Sequence, residues 1–191
     1  MSLAEIAKLA GAVAGILVVD EAYVDFAESE GASAIPLIRQ IPNLIVLRTF
    51  SKSFSLAGIR VGLGFACEEI IAGMMKVKDS YNLNRLSLIA ATAALDDMAW
   101  MKRNAERIQR SRKRLSAGLT RLGYQVYPSH ANFVLARKQG QNLKSVYEDL
   151  KRRNILVRYF DTAGLQDCLR ITVGTPREIK ALLSELASLV V

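Results

Sequence analysis

The chain has 191 residues, of which 51% are apolar and 23% charged, a balance that buries a core and excludes a disordered polyelectrolyte. No stretch reaches the ~18 uncharged apolar residues of a membrane helix. Two distant cysteines and a single histidine give neither a disulfide framework nor metal-ligand spacing, which suits a reducing cytoplasm. The formal net charge of +8 concentrates in residues 102–114 and 151–153, and neither run carries the interleaved aromatics of a single-strand binder. Both read as solvated helix faces, so nucleic acid is not an expected partner.

In chain order, the first residues resemble a signal peptide only superficially. Glu5 and the acidic residues after the apolar run point to a helix followed by a strand. Residues 16–20 (ILVVD) and 44–47 (LIVL) are apolar runs without alternation, as in strands covered on both faces of a parallel sheet. Between them, residues 32–41 read as a helix or helical turn, with Pro36 near its start. Residues 61–67 read as a third strand whose glycines permit close backbone approach, and a helix over 68–78 follows. Residues 79–84 form a polar break. Residues 85–122 lack proline and read as one long helix or two, ended by Gly123. Strands are expected at 124–127, 132–136, 155–159 and 169–173, with a helix at 142–153. A final helix is capped by Thr175, with Pro176 at its first position. The expected organisation is therefore a partial cofactor-binding domain (1–84), a helical connector (85–122) and a small α+β domain (123–191).

Two strand ends carry the chemistry. Asp20 closes the first apolar run, and Lys52 follows the second within the stretch TFSKSFSLAGIRVG. Open parallel sheets present such ends to ligands. An amine and a carboxylate thus meet at one edge, with Thr49, Ser51 and Arg60 adding groups that hold a phosphate. Amine, carboxylate and phosphate cradle together suit pyridoxal 5'-phosphate, whose aldehyde takes a lysine, whose ring nitrogen takes an acid, and whose phosphate takes an anion site. Alone, Lys52 would read as a solvated lysine and Asp20 as a turn residue; the joint pattern argues otherwise. The remaining candidates have plainer readings. His130 has no triad to join, Trp100 and Met101 read as packing, and Glu21 reads as structural.

TFSKSFSLAGIRVG resembles the lysine motif of fold-type I aminotransferases, and VVDEAYVDF resembles their aspartate motif. With SYNLNRLS, ANFVLAR, ILVRYF and CLRITVGT, these motifs follow the order of the histidinol-phosphate aminotransferase family across essentially the whole chain. The resemblance implies an α/β fold: an incomplete, mostly parallel sheet of the fold-type I large domain, followed by a small α+β C-terminal domain. It implies that Lys52 forms a Schiff base with pyridoxal 5'-phosphate and carries the proton at Cα. Asp20 pairs with the ring nitrogen, Tyr23 donates to the phenolic oxygen, and Ser51 and Arg60, with Thr49, hold the phosphate. Arg170, assisted by Arg158, binds the anionic group of each substrate, and Tyr81 and Asn84 match a further family motif. The implied reaction is transamination between histidinol phosphate and 2-oxoglutarate or glutamate in a cytoplasmic homodimer.

The resemblance covers the C-terminal half of such an enzyme. The expected N-terminal portion would supply further strands, amides beneath the phosphate and an aromatic residue over the ring. Activity of the chain alone is therefore not expected, and the first strand is expected to expose an edge or a face. Two other readings stay open: a fold-type I enzyme of another reaction type, such as a phosphothreonine decarboxylase, and a non-catalytic module.

Overall fold

A computed structural model describes residues 1–28 and 31–189. The chain divides into two compact units, Met1–Asn104 and Ala105–Val191.

The first unit opens with helix α1 (Leu3–Ala12). Ser2 and Glu5 close a reciprocal capping box at its start, satisfying amides that the first turn leaves without partners. Strands β1 (Leu17–Asp20), β2 (Leu44–Thr49) and β3 (Gly62–Phe65) form a sheet in that order. β1 and β2 run parallel, with Asp20 opposite Leu47, as the two apolar runs imply. β3 runs antiparallel to β2, with Thr49 opposite Gly62, which corrects the expectation of a mostly parallel sheet. The reason lies in the connection. A parallel return needs a crossover, usually helical, to carry the chain back across the sheet. Residues 50–61 instead coil into a compact turn that brings Phe50 N–H onto the Val61 carbonyl at 3.2 Å.

The expected helix at 32–41 is a single 3-10 turn, Ile35–Arg39. It covers one side of the sheet: Ala34, Leu44 and Val46 are buried with Ile6 of α1, against Ile35, Leu37 and Ile38. The opposite side of β1 is open, with Ile16 and Val18 about half exposed. The strand is therefore not covered on both faces, although its composition suggests that it should be. Helix α2 (Glu68–Val77) follows β3 and buries none of its residues. Helix α3 (Arg85–Asp96) is capped by Asn84, whose Oδ1 accepts the Ser87 amide at 2.8 Å. Phe50, Val61 and Ala91 form a second core that seats the 50–61 turn.

The helical stretch after Arg85 is two helices, because Asp97 leaves helical geometry between α3 and α4 (Met98–Arg121). The boundary between the two units falls within α4.

In the second unit, β4 (Gln125–Val126), β5 (Phe133–Arg137), β6 (Arg158–Tyr159) and β7 (Cys168–Thr172) form an antiparallel sheet in the order β4-β5-β7-β6. The strands at 124–127 and 155–159 are shorter than their sequence pattern suggests. Ladder partners are found by Gln125 and Val126, in the middle of the first, and by Arg158 and Tyr159, at the end of the second. Helices α5 (Lys144–Arg152) and α6 (Pro176–Leu189) complete the unit. Leu115, Leu119, Val134, Leu143, Leu150, Leu169 and Leu186 are buried together as its core. Thr175 and Glu178 form a capping box at the start of α6, as the sequence predicts for Thr175.

Candidate active site

The C-terminal ends of β1 and β2 lie side by side and carry the predicted residues of the first unit. Beyond β1 the chain turns at once. Asp20 Oδ1 accepts the Ala22 amide at 2.9 Å, and the Glu21 amide donates to the Leu47 carbonyl at 2.9 Å. The rest of the Asp20 carboxyl faces solvent. The turn ends in a short 3-10 helix, Val24–Phe26, which places Tyr23 at its N-terminus.

Beyond β2, Thr49 Oγ1 accepts the Ser51 amide at 3.1 Å, and the Ser55 amide closes on the Lys52 carbonyl at 3.0 Å. This tight turn swings the Lys52 side chain back toward the neighbouring strand end, where its Nζ lies 5.1 Å from the centre of the Tyr23 ring. Among the described residues Lys52 has no ion pair and its amine no hydrogen-bond partner, so the ring face is its neighbour. Arg60 is exposed and adopts left-handed backbone geometry at φ 57°, which a non-glycine residue adopts at a cost of about 1–2 kcal/mol. Its guanidinium donates to the Ala57 carbonyl at 2.8 Å and keeps its other donors free of described partners.

A charged network that sequence reasoning did not assemble lies beneath these groups. Arg48, near the end of β2, reaches Glu21 Oε2 at 3.1 Å with one nitrogen and Asp25 Oδ1 with the other. Glu21 is 6% exposed and also accepts from the Ser33 hydroxyl and the Ala34 amide. Its reading as a structural residue fits these partners. Asp25 Oδ2 accepts from the Ser53 hydroxyl. One clue was legible: an arginine directly after an apolar strand, with two carboxylates flanking Tyr23 at the neighbouring strand end.

Arg158 and Arg170 lie in the second unit as direct cross-strand partners on β6 and β7. Both are exposed, and among the described residues neither has a carboxylate partner. Their guanidinium groups lie 5.6 Å and 5.3 Å from the ring centres of Phe160 and Phe133. Like charges directly opposite one another in a sheet repel, and an anion between two guanidinium groups would relieve that repulsion. Farther along β5, Arg137 pairs with Asp167 at 3.1 Å and donates to the Tyr127 hydroxyl at 2.8 Å. Burial works against the Asp167 carboxylate, but hydrogen bonds with Cys168 and the charge of Arg137 outweigh it and hold the group below the ordinary aspartate range. Burial, reinforced by the hydrogen bond to Asp167, pushes the Cys168 thiol up.

Other candidates fall outside this arrangement. Tyr81 is almost fully exposed, and Asn84 serves as a helix cap. A cleft of 620 Å³ between the start of α6 and the strands beside it contains none of the predicted residues.

Comparisons with known proteins agree with the geometry. The family profile for aminotransferase class I and II matches residues 1–186. Histidinol-phosphate aminotransferase of Syntrophotalea carbinolica is 47% identical over 96% of this chain and 52% of its own length. Histidinol-phosphate aminotransferase 1 of Nostoc is 43% identical over 97% of this chain and 52% of its own length. The crystal structure of histidinol-phosphate aminotransferase from Sinorhizobium meliloti, in complex with pyridoxal-5'-phosphate, superposes with a TM-score of 0.82 at 29% identity over 92% of this chain and 48% of that one. The chain spans about half the length of the curated relatives it matches. With Lys52, Tyr23 and Asp20 gathered at two adjacent strand ends and the family profile running through residue 186, the chain belongs to the class I and II aminotransferase family.

Proposed function

We propose that this chain carries the lysine-bearing part of a pyridoxal-phosphate-dependent aminotransferase acting on histidinol phosphate, with 2-oxoglutarate and glutamate as the second substrate pair. The observation that carries the reading is the Lys52 amine over Tyr23, unpaired among the described residues, beside an exposed Asp20. The donor set suits the cofactor: an amine free to condense, a carboxylate with acceptor capacity left over, and Arg60 and Ser51 with donors to spare. When bound, pyridoxal phosphate supplies an aldehyde that condenses with amines and a ring that withdraws electrons from the substrate Cα.

The protein groups have distinct tasks. Asp20 holds a proton on the ring nitrogen, because a fixed negative charge keeps a pyridinium protonated. The Tyr23 hydroxyl donates to the phenolic oxygen. Arg60 and Ser51, with Thr49, grip the phosphate through charge-assisted hydrogen bonds. The Lys52 amine would hold and move the proton at the substrate Cα as a general base. Arg170, with Arg158, takes the carboxylate of glutamate in one half-reaction and the phosphate of the other substrate in the next, since a planar guanidinium pairs with either anion.

A homodimer in the cytoplasm is part of this proposal. No helix among the described residues is long and apolar enough to cross a membrane. The L-threonine-O-3-phosphate decarboxylase of Porphyromonas gingivalis superposes with a TM-score of 0.86 at 24% identity, a likeness of fold alone. Histidinol-phosphate aminotransferases at 42–47% identity favour amino transfer over decarboxylation.

The test is a visible absorption titration with pyridoxal phosphate, followed by borohydride reduction and peptide mapping. A saturable band with the label on Lys52 supports the reading. Label spread evenly over surface lysines refutes it.

A further inference from the structure

We propose that Ser53 and Asp25 are positioning residues that tie the Lys52 turn to the Tyr23 turn. The inference rests on reading Lys52 as the cofactor lysine. Ser53 follows Lys52 directly and is fully buried, and its hydroxyl donates to Asp25 Oδ2. Asp25 lies two residues past Tyr23, and its other oxygen is held by Arg48. Arg48 in turn holds Glu21, two residues before Tyr23. The aromatic ring facing Lys52 is thus bracketed by two carboxylates fixed to one guanidinium. One of those carboxylates also reaches across to the residue next to the lysine.

The other side of the Lys52 turn is fastened too. Asn104 donates to the Ser53 carbonyl at 3.1 Å, and the Leu56 amide donates to the Phe50 carbonyl at 3.0 Å. The backbone on either side of Lys52 therefore has little freedom, while its amine has no hydrogen-bonding partner among the described residues. A buried hydroxyl bonded to a carboxylate is a costly filler where alanine would pack, because the hydroxyl must be desolvated. It gains direction instead. The Ser53–Asp25 bond fixes the distance between the two turns, and with it the 5.1 Å separation of the Lys52 amine from the Tyr23 ring. An amine held at a set place reacts faster with a correctly seated aldehyde than one sampling many positions.

The test compares the parent chain with Ser53→Ala and Asp25→Asn; the second variant keeps the side-chain shape and carries the comparison if the first does not fold. Amide hydrogen exchange is followed for residues 22–26 and 50–56. Reductive labelling with pyridoxal phosphate and borohydride is read as the ratio of label on Lys52 to label on the exposed Lys144. The expected result is faster exchange in both segments together, with the labelling ratio reduced roughly tenfold, the loss of one charge-assisted hydrogen bond. Parent-like exchange in both variants overturns the tie. Faster exchange with an unchanged labelling ratio overturns the positioning role. If the parent itself shows no preference for Lys52, the cofactor reading falls and takes the positioning role with it, whereas faster paired exchange would still establish the tie.

Discussion

Gly118 gives the sharpest test of the second unit's packing, because two opposing effects of known size meet there. It lies on α4 facing Leu183 of α6. A Cβ built on it would sit 2.3 Å from Leu183 Cδ1, 2.9 Å from Cδ2 and 3.2 Å from Cγ. Replacing it with alanine gains about 1 kcal/mol in helix propensity. Against that stands overpacking, which costs about 1–3 kcal/mol. Both Leu183 methyls and the carbon that bears them face the new atom, so a turn about the last torsion clears one methyl and drives the other inward. The side chain must leave its rotamer or α6 must shift. A contact this short puts the cost at the upper end of that range, so the clash outweighs propensity and Gly118→Ala destabilises by about 2 kcal/mol. Urea unfolding followed by circular dichroism measures it, with Leu183→Ala and the double variant completing a cycle. The double variant recovers part of the loss, since the contact that punishes the added methyl is gone. A Gly118→Ala chain more stable than the parent would refute the reasoning.

Three further outcomes follow from the structure. Glu21→Gln strips charge from a buried site that faces Arg48 and accepts from Ser33 and Ala34, and loses about 3 kcal/mol in the same unfolding assay. Inorganic phosphate raises the thermal midpoint of the parent, and Arg170→Gln abolishes that rise, because the facing arginines are what the anion relieves. Hydrogen bonds from Thr175 hold the Glu178 carboxyl below the ordinary glutamate range. Its folded value is depressed, so its contribution is present above the unfolded value and is lost as the pH falls through the folded one, below the ordinary glutamate range. A Glu178→Gln chain shows a shallower acid limb in thermal melts across that window.

Much of the site was legible because strand ends announce themselves. Apolar runs broken by Asp20 and by Arg48-Thr49 mark where β1 and β2 stop, and a parallel pair brings those stops together. Thr175 and Pro176 likewise mark the start of α6 through local chemistry. The direction of β3 was not legible, because it depends on how residues 50–61 fold back and not on the composition of the strand. The Glu21–Arg48–Asp25–Ser53 network left a clue in its arginine and paired carboxylates, but its connections were not legible. Its bonded partners are 23 to 28 residues apart across the β1–β2 crossover, and no periodicity relates them. Their pairing follows only once the register of the sheet is known.

The open edge of β1 has a consequence for how the chain behaves at high concentration. Its outer side has no strand partner among the described residues, with Ile16 and Val18 exposed beside it, and Asp20 is the sole charge on the strand. Such an edge recruits a second strand unless a charge interrupts it. The carboxylate assigned to the cofactor nitrogen therefore doubles as a colloidal gatekeeper. A cationic ring held against it masks the one charge along that edge, and so does added salt, so the chain remains dispersed longest where Asp20 is unshielded, at low salt.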